Sequence, residues 1–138
     1  MKLLALLATI GLMSCLACGG HENDDKNNAL MAPGQDCKGC HGSFTVAGTV
    51  FGSASADTGS GLAGVSVVIT DANQVDTTLI TNAAGNFYTS AALALPLRKA
   101  TVVRNGQHTD MSSAPEGGCN RCHTQPPTGG APGRIHQP

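Results

Sequence analysis

Tryptophan is absent from these 138 residues, and the chain has only four aromatic rings: Phe44, Phe51, Phe87 and Tyr88. That excludes a core built by stacking large rings, although such rings usually supply much of a domain's buried area. Charge is scarce as well. Charged side chains make up 12% of the chain, and eight cationic against nine acidic residues leave a net charge of -1. A soluble domain usually carries about 25%. Without a basic face there is no electrostatic footprint for nucleic acid. No acid–base pair, activated serine or phosphate-cradling loop can be read along the chain, so no enzyme class is signalled. Small and special residues are what the chain does have: 18 glycines, 7 prolines and 6 cysteines. Cohesion has to come from something besides ring packing.

Met1 and Lys2 give a positive start, and Leu3 to Met13 is an apolar run of signal-peptide length. It falls well short of the roughly 20 residues a spanning helix needs. The run ends in Leu12-Met13-Ser14-Cys15, followed by Leu16-Ala17-Cys18. A small residue before a Cys, directly after an apolar run, resembles the lipobox of bacterial lipoproteins, in which the Cys becomes the first residue and carries the lipid. Cys15 has the better upstream context, with Leu12 and Ser14. Cys18 competes because choosing it leaves no stray thiol in the mature chain. An ordinary cleaved signal is the alternative. Either way the chain is exported to a compartment where thiols are not held reduced. In that family an Asp after the Cys favours inner-membrane retention. Here the position holds Leu16 or Gly19, so the resemblance implies a lipid anchor in the outer membrane. His21 to Asn28 is wholly polar and reads as a flexible tether.

The four remaining cysteines fall into two matching pentapeptides, Cys37-Lys38-Gly39-Cys40-His41 and Cys119-Asn120-Arg121-Cys122-His123. Both are Cys-x-x-Cys-His, the attachment pattern for c-type haem. Two thiols at that spacing can form thioether bonds to the two vinyl groups of one porphyrin. The His after them is then held over the iron as its proximal ligand. The sequence therefore predicts two covalently attached c-type haems. A four-cysteine zinc site competes but leaves both trailing histidines without a role. Two redox-active disulfides would want a βαβ pattern that is missing. Haem at only one motif is the third alternative. For a sixth iron ligand the candidates are His108, in a turn-rich loop before the second motif, and His136, in the Gly/Pro-rich tail. Met31 and Met111 are the methionines outside the signal, and His21 sits in the tether.

Between the motifs the pattern alternates as strands do. Phe44–Phe51, Val65–Thr70, Val75–Thr81, Asn86–Ala91 and Lys99–Arg104 read as five strands, and Gly106–Met111 as a candidate sixth. Gly85 suits the positive φ of a turn between the third and fourth. The expected fold is mostly β: a small antiparallel β-sandwich flanked by two loop-rich haem-binding segments. The expected organisation is signal peptide 1–14, tether 15–33, first haem-binding segment 34–43, sandwich 44–111, and second haem-binding segment with tail 112–138. Strand count bears on haem placement. An odd number of antiparallel strands sends the two segments to opposite poles, roughly 20 Å apart, and an even number returns them to one end.

Gly61-Leu62-Ala63-Gly64-Val65-Ser66-Val67 and Thr81-Asn82-Ala83-Ala84-Gly85-Asn86-Phe87 resemble the carboxypeptidase regulatory-like domain. That resemblance covers about residues 46–104. It implies a transthyretin-like β-sandwich used as a structural or binding module, with no catalytic residues to transfer.

These readings converge on an exported di-haem cytochrome c that carries single electrons. Its expected partners are other redox proteins, multihaem cytochromes among them, and the membrane through its lipid anchor, with end-to-end self-association where the haems sit at opposite poles. Two alternatives belong to other classes. One is a haem peroxidase or gas sensor, which needs an open coordination site. The other is a β-sandwich adhesion or scaffold lipoprotein with the Cys/His segments as metal clasps.

Overall fold

The structure, a computed structural model, describes residues 30–138. The expected signal peptide, the lipidation at Cys15 or Cys18, and most of the tether lie outside the described residues. The described chain is mostly β, as the alternation predicts. A single helical turn, α1 (Cys37–Cys40), precedes β1 (Val46–Thr49), β2 (Ser66–Thr70), β3 (Asp76–Ile80), β4 (Asn86–Thr89), β5 (Lys99–Arg104) and β6 (Gln107–Met111), and a 3-10 turn at Cys119–Arg121 comes last. The strands form two antiparallel sheets, β1–β4 and β3–β2–β5–β6.

The two sheets close on one core. Val46, Val50 and Phe87 from the smaller sheet meet Val67, Ile69 and Val102 from the larger one, with Val65 and Leu97 beside them. In β2 burial alternates strictly, Val67 and Ile69 inward and Ser66, Val68 and Thr70 partly out. That is the period-2 signature of a strand with one wet face. β1 breaks the alternation, because every residue from Val46 to Thr49 is buried. One of its faces meets the core, and the other is covered by chain from both flanking segments. Covering both faces of β1 offsets the shortage of rings.

The segments that carry the family resemblance are packed on each other. Thr81 Oγ1 donates to the Leu62 carbonyl at 2.6 Å and accepts the Val65 N–H at 2.9 Å. Gly85 takes the expected positive φ of 79°, and Asn82 Oδ1 caps the same turn by accepting the N–H groups of Ala84 and Asn86. Asp71 performs a similar service at the β2–β3 turn. Its carboxylate accepts from Asn73, Val75 and Ala94, which ties that turn to the loop before β5.

Regular pairing in β1 is shorter than the predicted Phe44–Phe51, and the reason is competition for its backbone. The Ala47 N–H donates to the Gly117 carbonyl at 2.9 Å. Phe51 donates to Ile135 at 2.8 Å and accepts from Gln137 at 3.0 Å. Short parallel bridges, Ala47 with Gly118 and Phe51 with His136, complete this edge. The second Cys-x-x-Cys-His segment and the C-terminal tail thus extend the smaller sheet beyond β1.

Candidate functional site

β1 is the platform that brings the two pentapeptides together. Six strands return the chain to the end where it began, and the flanking segments meet there. The Asn120 side chain, inside the second motif, is buried, and its Nδ2 donates to the Gln35 carbonyl, two residues before the first motif, at 2.9 Å. Its Oδ1 accepts the Thr49 N–H at 3.1 Å, and Nδ2 also reaches Thr49 Oγ1 at 3.0 Å. Thr49 Oγ1 in turn donates to Asn86 Oδ1 at 2.6 Å and accepts from the Gly34 N–H at 2.9 Å. Asn86 Nδ2 closes the network on the Met31 carbonyl at 2.7 Å. A hydroxyl has one donor and two acceptor sites, so Thr49 is fully satisfied. On the surface, Arg121 spans the two motifs through Asp36 at 2.8 Å and also pairs with Glu116.

The first motif forms α1, with the His41 N–H closing the turn on the Cys37 carbonyl at 2.8 Å. This places Cys37 and His41 one turn apart on the same side. The His41 ring stacks on Phe44 at 4.8 Å, and Phe44 stacks on Tyr88 at 4.7 Å. Three of the few flat groups in the molecule therefore form one stack. His41 Nε2, the atom a proximal ligand would turn to iron, is buried without a hydrogen-bond partner. Cys37 is half-buried, and desolvation pushes its thiol pKa up. Cys40 is exposed and disulfide-bonded; Cys37, Cys119 and Cys122 are free thiols, so none of these is its partner.

In the second motif Cys119 is buried within the sandwich core and Cys122 is exposed. Burial pushes the Cys119 pKa up to about 12, and the neighbouring Cys37 adds to the rise. His123 is held by its ring. Nδ1 lies 2.8 Å from the Gly133 carbonyl, and Nε2 lies 3.4 Å from Met111 Sδ. A carbonyl can only accept, so Nδ1 carries a proton, and in the neutral ring Nε2 keeps its lone pair. A backbone carbonyl holding the far ring nitrogen in this way is typical of ligating histidines.

Two clefts of about 160 and 290 Å³ adjoin His123. The smaller runs into the core, with walls of Val67, Phe87, Val102 and Ile135, and Arg134 and His136 also border it. Arg134 is 5% exposed and lies over the Phe51 ring at 4.5 Å, with its Nε and Nη1 unpartnered. Among the described residues it forms no ion pair. A buried guanidinium in that condition is suited to pairing with an anionic group.

The candidate sixth ligands are placed differently. His108 pairs with Val103 across β5–β6, whereas Thr109 and Met111 pair with Val102 and Ala100. Val102 belongs to the core, so His108 is on the outward face, away from the cleft. His136 borders the cleft, with Nδ1 2.7 Å from the Gln137 carbonyl. Met111 stands against His123, a contact that sequence reasoning had no means of ranking above the two histidines. Alternation along β6 could have separated Met111 from His108, because residues three apart in a strand face opposite ways.

Among the described residues, no three His, Cys, Asp or Glu side chains converge as a metal-binding group, so the four-cysteine zinc arrangement is not assembled. A porphyrin already supplies four nitrogens and asks the protein for only one or two ligands. No helix among the described residues is long and apolar enough to cross a membrane. Comparison with protein families, curated proteins and solved structures finds no match in any of the three.

Proposed function

We propose that this chain is an exported di-haem c-type cytochrome that relays single electrons between redox proteins of the cell envelope. One observation carries the reading. Two Cys-x-x-Cys-His pentapeptides lie side by side across β1; His41 Nε2 is buried without a hydrogen-bond partner, and His123 Nε2 faces the Met111 sulfur beside a cleft. The residues fit the group. Cys37, Cys40 and His41 would hold one haem and Cys119, Cys122 and His123 the other, each thiol adding its S–H across a vinyl double bond with nothing released. Cys40 would first have to be returned to its thiol by an external thiol reductant, itself oxidised to a disulfide in exchange. Arg134 would supply the positive charge that a haem propionate needs, and the apolar walls beside His123 would take the porphyrin's flat face. Bound haem supplies a one-electron couple, which no side chain here provides.

The protein residues then set the conditions of that couple. The Gly133 carbonyl fixes the His123 tautomer and makes Nε2 a better donor. The aliphatic cleft keeps water from one face, and the His41–Phe44–Tyr88 stack leaves the first site nearer the surface. With both motifs at one end, two haems held there would form an internal relay, and the polar placement that motivated end-to-end self-association loses its geometric basis. A sixth protein ligand on both irons would favour carriage over the peroxidase or sensor alternative, because it would block access of small molecules.

Expression in a host with a cytochrome c maturation system tests this. Intact mass should exceed the processed polypeptide, with any lipid, by two haems. The reduced absorbance spectrum should show low-spin c-type haem. Colourless protein at the polypeptide mass overturns the proposal, and zinc in its place would favour the scaffold reading.

A further inference from the structure

The His123 ring stands directly against Met111, with Nε2 3.4 Å from the thioether sulfur, while Nδ1 donates to the Gly133 carbonyl. In the neutral ring, Nε2 presents a lone pair to a thioether that is itself only a weak acceptor, so two potential metal donors face each other. The two clefts meet along this pair, sharing Met111, Cys119, His123 and Pro132. Separating the His123 ring from the Met111 sulfur would therefore join the clefts into one slot, flanked by the Cys119 and Cys122 thiols. Metal–nitrogen and metal–sulfur bonds of about 2.0 and 2.3 Å put the two ligands of one ion about 4.3 Å apart. The 3.4 Å contact needs to widen by only about 1 Å, and an unbranched Met side chain adapts readily.

We infer that Met111 is the sixth ligand of the iron held by His123, a proposal that rests on the di-haem reading. Met raises the potential relative to His, so this ligation would place the second-motif haem higher than a haem with two His ligands. His136 borders the same cleft with its Nδ1 2.7 Å from the Gln137 carbonyl, and His108 faces the other way.

Magnetic circular dichroism of the oxidised, fully loaded wild-type protein tests this without any mutation. A thioether-to-iron charge-transfer band in the near infrared is expected from one of the two haems. In Met111→Leu that band disappears, one haem turns high-spin, and carbon monoxide binds it in the reduced state. In Met111→His the haem stays low-spin, loses the band, and its midpoint potential falls. Absence of the band from wild-type protein overturns the inference. So does survival of the band and of both midpoints in Met111→Leu, and so does loss of low-spin character only in His136→Ala, which would give the position to His136. Protein without haem would instead overturn the di-haem reading beneath it.

Discussion

Asn120 occupies one of the two variable positions of the second pentapeptide, yet it has the most structural partners there. It satisfies the buried Thr49 N–H and the Gln35 carbonyl at once. Replacing it with Ala leaves the buried Thr49 N–H without a partner, a loss that costs about 1–3 kcal/mol. Urea unfolding of Asn120→Ala should show that destabilisation, whereas Gly39→Ala, at a variable position of the first motif where only the Asp36 side chain is near, should be almost silent. The two cysteines and the histidine of each motif stand out in the sequence because their spacing matches a chemical requirement of c-type haem attachment. Nothing in the sequence distinguished Asn120, since its importance comes from residues 71 and 85 positions away.

Asp71 gives a residue-scale prediction in pH. N–H groups of Val75, Ala94 and Asn73 hold its carboxyl below the ordinary carboxylate range. A depressed folded value means that its stabilisation is complete above the unfolded value of about 4 and drains as pH falls through the lower folded one. Asp71→Asn should therefore be the less stable protein at pH 7, and the gap to wild type should narrow below about pH 4. Denaturant midpoints measured across that range would check it, and a constant gap would remove the carboxylate from the explanation.

At the scale of the element, β1 decides most of the architecture. It pairs with β4 on one edge and with the second motif and tail on the other, and both its faces are covered. Gly48 makes the close approach feasible. A β-carbon there would sit 2.6 Å from Phe87 Cζ and 3.0 Å from the Cys119 β-carbon. Gly48→Val is expected to overpack the strand by about 1–3 kcal/mol or more. It should lower the thermal midpoint and also reduce haem attachment at Cys119, seen as a single-haem mass species. The strands themselves were legible, including the sixth, because β-branched alternation and glycine turns are local signals. The all-buried pattern of β1 was not, because it depends on which distant segments lie against the strand.

Across the whole molecule, even strand parity and the Asn120 network set the two motifs beside each other. On the di-haem proposal, neighbouring haems would feel one another's charge, so the second electron would enter at a Coulomb cost the first does not meet. Potentiometric titration should give a curve broader than two independent one-electron steps. A Cys37→Ser/Cys40→Ser variant carrying only the second haem should narrow to one step with a displaced midpoint. Surface charge contributes little to holding this arrangement. The Arg121 pairs are exposed, and Arg121→Ala should leave the midpoint of chemical denaturation almost unchanged.

Whatever is local in chemistry and in space was already written along the chain: the class of fold, the order of its strands, the turn at Gly85, and two matching Cys-x-x-Cys-His pentapeptides. Those depend on residue type and short separation, which a linear pattern preserves. Folding alone settled that His108 faces outward, that Met111 meets His123, that Arg134 is buried with no ion pair among the described residues, and that the two pentapeptides share one strand as their platform. Each of these is a contact between residues distant along the chain or a consequence of which face of a strand is covered, and a linear pattern fixes neither until the sheets have paired.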